Sequence, residues 1–200
     1  NRLKVVAEVI KSCVVELANR KDKDSDANPV RILSIAGGSA RSIIRTIVDL
    51  QEKNLNCQIE VTVLDKDQSA LEVGGNISKE AGVSKNFQWV HGQARDVKML
   101  LPDKTFDIVE IVGLLDYFPD ERAKRLLKVV GEVIKSGGVI VVANVIPNPE
   151  IPFVHKTGWP EMIYRKPEEL RKLLSDAGFT KEINLITESL GVHCVALAYK

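Results

Sequence analysis

The sequence is short of the residues that build metal clusters, disulfide frameworks and aromatic stacking platforms. It holds three cysteines, three histidines, two methionines and 5% aromatic residues. Cys13, Cys57 and Cys194 are odd in number and far apart, and no Cys/His pair has metal-ligand spacing. That pattern excludes a disulfide framework and predicts no metal; it reads as reduced core thiols in a cytoplasmic chain. Neither sign of charge dominates. With 28 basic and 27 acidic residues the net charge is +1, which removes the electrostatic case for a nucleic acid or an anionic membrane as partner. The densest charged run, residues 20–26, alternates in sign and reads as a solvated loop. No apolar run approaches the ~20 residues that span a bilayer, and no signal-peptide pattern is present. Repeats and low-complexity segments are absent too. The sequence opens on Asn1 with a helical pattern already under way, as expected of a piece of something longer.

What is present is the composition of one soluble globular domain: 200 residues, 44% apolar and 28% charged, enough to bury a real core. Its organising stretch is residues 30–45. Val30 to Ile35 is apolar and β-branched, which predicts a short buried strand. Ala36, Gly37, Gly38, Ser39 and Ala40 are all small, and Ile43, Ile44, Ile47, Val48 and Leu50 then recur at helical spacing. A strand, a tight small-residue turn and a helix aim backbone N–H groups and a positive helix end at one spot, where a nucleotide-like ligand can approach the main chain. An ordinary tight turn is the alternative. The turn does not match G-x-G-x-x-G, since position 36 is Ala and position 41 is Arg, which counts against a dinucleotide.

In chain order, the spacing predicts an amphipathic helix from Leu3 to Ala18 with Leu3, Val6, Val9, Ile10, Cys13, Val14 and Leu17 facing the core. A polar loop over Lys21 to Asn28 follows. The first helix after the turn is expected to fade at residues 51–54. Strands are predicted at Cys57 to Leu64, Phe87 to His91, Phe106 to Val112, Val139 to Ala143, Ile183 to Glu188 and His193 to Tyr199. Helices are predicted at Gln68 to Ala81, Glu121 to Lys135 and Pro167 to Ala177, with a brief helical turn through Leu101. Asn144 to Arg165 is Pro-rich, aperiodic and long, a candidate functional loop. Alternating strands and helices predict an open parallel α/β sheet with helices on both faces, closed by an antiparallel hairpin.

This order of motifs, with the closing hairpin, resembles class I S-adenosylmethionine-dependent methyltransferases over residues 30–200. The resemblance implies a Rossmann-like, seven-stranded, mostly parallel sheet and S-adenosyl-L-methionine as cofactor. Residues 1–29 would then be a helical cover and linker, and 30–200 the cofactor-binding domain. The family's first motif places an acidic residue at the end of the first strand and a Gly-x-Gly-x-Gly turn after it. Here those positions hold Ser34, Ala36, Gly38 and Ala40, so one glycine of three remains and the acid is a serine, whose hydroxyl can still hydrogen-bond there. Asp65 stands where the family's strand-end acid accepts the two ribose hydroxyls; the alternative is a helix cap, for which Asp67 is better placed. Lys66 flanks it. Gln93 and Ala94 match the adenine-edge position, though Gln93 is equally a plain surface residue. Phe106-Asp-Ile-Val and Gly113-Leu-Leu-Asp-Tyr-Phe118, with Trp159 and Ile163-Tyr164-Arg165, are similar to the subgroup related to bacterial hydroxy-fatty-acid methyl ester biosynthesis proteins.

On this basis the candidate catalytic residues are Tyr117 and Asp116, with Asp116 equally able to cap the helix after Pro119. The candidate cofactor residues are Ser34, Ala36, Gly37, Gly38, Asp65, Lys66, Gln93, Ala94 and Gly113. Trp159, Tyr164 and Arg165 are candidates for the acceptor pocket. Arg165 suits a carboxylate head on an apolar chain, since guanidinium binds carboxylate bidentately; its alternative is a surface pair with Glu168 or Glu169. Glu110, a carboxylate in an apolar strand, reads as structural. Among the histidines, His155 in the long loop is the one expected as a base. The expected activity is methyl transfer to a small molecule, with a fatty or hydroxy acid as one acceptor class. A methyltransferase-like domain that binds without catalysis is the alternative. A nicotinamide-dependent oxidoreductase is disfavoured by the failed fingerprint and the terminal hairpin.

Overall fold

The computed structural model describes residues 2–24, 29–53 and 57–200. Seven strands form one sheet in the order β3-β2-β1-β4-β5-β7-β6. They are β1 (Val30–Ile35), β2 (Ile59–Asp65), β3 (Phe87–His91), β4 (Phe106–Val112), β5 (Ile134–Val145), β6 (Ile183–Thr187) and β7 (His193–Tyr199). The first five pair in parallel, β7 pairs antiparallel with β5, and β6 with β7. The chain runs outward from β1 to β3 and then crosses back to β4. The order therefore reverses between β1 and β4, and in such sheets the carboxyl ends at the reversal open a crevice for ligand.

Helices cover both faces. One core holds α5 (Asp120–Val133) and α7 (Pro167–Asp176), with the short α4 (Val97–Leu100), against Leu33, Ile35, Val109, Ile111, Ile140 and Val142. The other holds α1 (Arg2–Asp24), α2 (Arg41–Glu52) and Leu71 of α3 (Gln68–Glu80) against Ile32, Val61, Ile108, Val141 and Val195. The strands alternate between these cores because successive side chains point to opposite faces. Every strand of the parallel centre is covered on both sides, hence its nearly unbroken apolar runs.

Three features differ from the sequence expectation. Helix α1 continues to Asp24, so the charged run 21–24 is helical rather than looped; residues 25–28 of the expected loop, and Asn54, lie outside the described residues. Alternating Lys and Asp are good or tolerable helix formers, and sign alternation does not break a helix. Leu3, expected on the buried stripe, is exposed, while Val6, Ile10 and Val14 are fully buried. Helix α1 fills the same core as α2 and the sheet. Finally, β5 starts at Ile134 directly after α5. Ile134 pairs with Phe106 and Val139 with Ile108, so residues 135–138 bulge opposite Asp107. Gly137 at φ +76° and Gly138, whose Cβ would stand 2.9 Å from the Asp107 carbonyl oxygen, permit that bulge.

Candidate functional site

The crevice divides at Gly113. On one side lies the turn after β1. Ala36, Gly38 and Ala40 adopt φ of +55°, +54° and +48°. All three positions where a Gly-x-Gly-x-Gly turn has glycine thus keep a glycine conformation, and two of them hold alanine, at a cost of about 1–2 kcal/mol each. The turn is pinned by Ala36 N donating to Leu64 O at 2.8 Å and Ala40 N to Gly37 O at 2.8 Å. Asp65, at the end of β2, is 9% exposed. Its Oδ2 accepts from Gly38 N at 2.7 Å and its Oδ1 from Asp67 N at 2.9 Å. Asp67 caps α3, accepting from Ser69 and Ala70, so Asp65 is not needed as a cap. Nothing lies within 4 Å of the direction a Cβ would take at Gly38. That open cradle beside a carboxylate with lone pairs to spare fits a nucleoside carrying a diol.

The remaining cofactor candidates scatter around this turn. The Lys66 side chain is exposed, and its carbonyl bonds His91 Nε2 at 3.0 Å. Gln93 is exposed, Ala94 is half-buried, and the two begin a tight turn after β3. Ser34 is buried, and its Oγ donates to Glu110 Oε2 at 2.5 Å. The two residues are register partners on β1 and β4. Burial pushes the Glu110 carboxyl up to about 7, against the opposing pull of Ser34 and the Arg2 charge. Glu110 thus does have the polar partner expected of it, on the neighbouring strand.

On the other side of Gly113 is a cavity of about 510 Å³. Its walls include Arg2, Asp116, Tyr117, Trp159, Tyr164 and His193, with Val145, Val154 and Met162 among the apolar residues. The long loop is partly ordered by α6 (Ile151–Lys156). Trp159 Nε1 donates to Tyr117 Oη at 3.1 Å, and both side chains are exposed. The Tyr164 hydroxyl is buried and has no hydrogen-bond partner among the described residues. Asp116 is buried, its Oδ1 accepting from Val145 N at 2.7 Å and its carbonyl from Ile163 N at 2.6 Å. Burial raises its carboxyl above the usual range. The helix after Pro119 has no side-chain cap, so Asp116 ties the loop to β5 instead.

Arg165 is a correction. It lies outside the cavity wall and is 3% exposed. Its Nε donates to Asp120 Oδ1, Nη1 to Leu115 O and Asn144 Oδ1, and Nη2 to Phe118 O while standing 2.8 Å from Asp120 Oδ1. Four hydrogen bonds and the ion pair with Asp120 occupy the buried guanidinium, which leaves it poorly placed for a ligand carboxylate. Nor does it pair with Glu169, which accepts from Lys166 N. His155 is exposed and outside the wall as well; the histidine that reaches the cavity is His193, at the start of β7. Burial and then the Arg2 charge lower its pKa, with Glu188 opposing. Sequence reading missed Arg2, His193 and Asn144. Only His193 left a signal, as a polar residue opening an apolar strand. A larger groove of about 670 Å³ between α3 and β3 contains Trp89 and His91 but none of the expected site residues. No group of three His, Cys, Asp or Glu suited to a metal occurs among the described residues. No helix among them is long and apolar enough to cross a membrane.

Residues 2–200 match the family model described as "Putative methyltransferase" (Methyltransf_20). None of the curated proteins matches the sequence. The solved structures it resembles include one described as a possible exported protein from Bordetella parapertussis, at 17% identity and TM-score 0.68, covering 86% of this chain and 62% of that one. A "putative O-methyltransferase" from Nostoc punctiforme follows at 19% and 0.70, covering 99% and 59%. Magnesium protoporphyrin IX methyltransferase from Synechocystis, with bound SAH, aligns at 14% and 0.63, covering 96% and 83%. The chain spans about 60% of the length of the first two. At these identities the likeness establishes the fold. The match to the family model over almost the whole sequence establishes the rest: the chain belongs to this methyltransferase family.

Proposed function

We propose that the chain binds S-adenosyl-L-methionine across the carboxyl ends of β1 and β2 and methylates a small, largely apolar acceptor seated in the cavity beyond Gly113. The observation that carries this is the meeting of two unlike half-sites at one glycine, whose φ of +82° turns the chain between them. The cofactor would supply a methyl group already activated on a sulfonium, so the protein's task is alignment, exclusion of water and management of one proton. Gly38 and Asp65 are the residues to hold the adenosine end. Val145, Val154, Met162 and the aromatic side chains form a wall for an apolar body.

The acceptor best suited to this wall is a neutral molecule with a hydroxyl. Asp116 and Glu150 line the cavity together with Arg2, so the wall carries no net positive charge to attract an anion, and Arg165, the cation expected to bind a fatty or hydroxy acid, is consumed elsewhere. His193, with its pKa lowered, is neutral at physiological pH and able to take the hydroxyl proton. The Tyr164 hydroxyl is free to donate to the acceptor. Calorimetric titration with S-adenosylmethionine, then a transfer assay on phenols, alcohols, hydroxy acids, fatty acids and amines, tests the reading. Binding with turnover on hydroxyl compounds, sharply reduced in His193→Asn, is the expected result. Absence of cofactor binding overturns it, and binding with no turnover on any class assigns a binding domain instead.

A further inference from the structure

We propose that Glu110 of β4 and Arg2 of α1 together recognise the zwitterionic amino-acid end of the cofactor, Glu110 taking the ammonium and Arg2 the carboxylate. The inference rests on the cofactor assignment above and deepens it. Its starting point is a chemical oddity: Glu110 is 5% exposed in the middle of the sheet, and its hydrogen-bond partner is a neutral serine hydroxyl. A buried carboxylate without a paired cation is costly to ionise, which pushes the Glu110 carboxyl up to about 7 and leaves room for an incoming cation as its partner. No Lys or Arg among the described residues forms an ion pair with it.

Its location says what that use is. Ser34 Oγ, which holds the carboxylate, lies directly beneath the turn: a Cβ at Gly37 would overlap it. The pair therefore sits under the cradle where the ligand meets the main chain. The Arg2 guanidinium lies just past the carboxyl end of β4, three residues beyond Glu110. Its Nη2 and Nη1 come within 3.6 and 3.7 Å of the Cβ position at Gly113. Arg2 makes no hydrogen bond with any described residue, and its charge acts on Glu110, Asp116 and His193 together. A held carboxylate and an uncommitted guanidinium three residues apart at the carboxyl end of β4 suit a ligand with an ammonium and a carboxylate on one carbon. The acidic residue missing from position 34 is thereby supplied from the adjacent strand, at the register partner of Ser34.

The discriminating probes are S-adenosylhomocysteine and 5′-methylthioadenosine, which share the adenosine and thioether but differ in the amino-acid end. Calorimetry with the full chain, its Glu110→Gln and Arg2→Ala variants, and Arg2→Lys as a conservative control provides the readout, without any need for turnover. The expected result is a wild-type preference for S-adenosylhomocysteine that falls about ten- to a hundredfold in either variant, as for a lost charged hydrogen bond. Binding of 5′-methylthioadenosine should stay unchanged, and Arg2→Lys should restore part of the preference. An undiminished preference in the variants overturns this inference and leaves the cofactor assignment standing, as does equal loss of both probes. If the wild type binds neither probe, the cofactor assignment itself falls. Should Arg2→Ala reduce acceptor methylation while the preference persists, Arg2 belongs to the acceptor cavity and the pairing is wrong.

Discussion

The two sides of the crevice are built in different ways. The cofactor side is made of consecutive backbone: five small residues between β1 and α2, held by main-chain hydrogen bonds and by Asp65 at the end of the next strand. The acceptor side is braced by distant side chains behind its wall. Arg165 reaches back 45 residues to Asp120 and 50 to the Leu115 carbonyl, and Asn144 reaches forward 19 to Ile163 O. A backbone-built site should tolerate side-chain replacement as long as the conformation survives, and Ala36 and Ala40 keep the glycine conformation. A side-chain network stands or falls with its members.

The contrast breaks most forcefully at Arg165. Arg165→Ala strips partners from two backbone carbonyls and the buried Asn144. Urea unfolding should show a loss of about 3–5 kcal/mol, the range for breaking a buried charged network. A loss of acceptor binding at unchanged stability would restore Arg165 to the pocket instead. Most of the effect should come from the buried hydrogen bonds, because Asp120 is itself 73% exposed and screened by solvent.

The next largest effect is the pH response of Glu110. Its carboxyl titrates near 7 in the folded chain against an ordinary 4.5. Between these values the native state holds a proton that the unfolded state has released, so stability falls as pH rises from about 4.5 to 7 and is level above that. The whole drop is on the order of 3 kcal/mol. Glu110→Gln should flatten that part of the curve, as read from unfolding midpoints at pH 5 and pH 8. An unchanged slope in the variant would place the titration elsewhere.

The cofactor-side turn should respond least. Ala36→Gly relieves a left-handed alanine worth about 1–2 kcal/mol and loosens the unfolded chain by about 0.5–1 kcal/mol. The net gain in stability should lie between about 0 and 1.5 kcal/mol, with the turn and its cofactor affinity preserved. A destabilised protein would mean that the alanine methyl is packed to good effect.

What the sequence disclosed follows the same division. Strands β1, β3, β4 and β7 end where period and β-branching place them, because each is short, apolar and bounded by turn residues. The turn at 36–40 was readable, being contiguous. The start of β5 was not, since Lys135-Ser-Gly-Gly138 looks like a helix stop and forms a bulge only because Asp107 stands opposite. The roles of Arg165, Asn144 and His193 were hidden for the reason that makes them sensitive: their partners are set by tertiary packing. Arg2 was hidden most completely, since a helix's first turn carries no sign of the strand end it will rest against.

The central claim, that the backbone-built side holds S-adenosylmethionine, is tested most directly by titrating wild type and Asp65→Ala with S-adenosylhomocysteine in the calorimeter. The prediction is one molecule bound per chain, with affinity lowered by about 1.5–3 kcal/mol in the variant for loss of a charged acceptor and the fold intact by circular dichroism. Equal affinity in both proteins, or none in either, would contradict it.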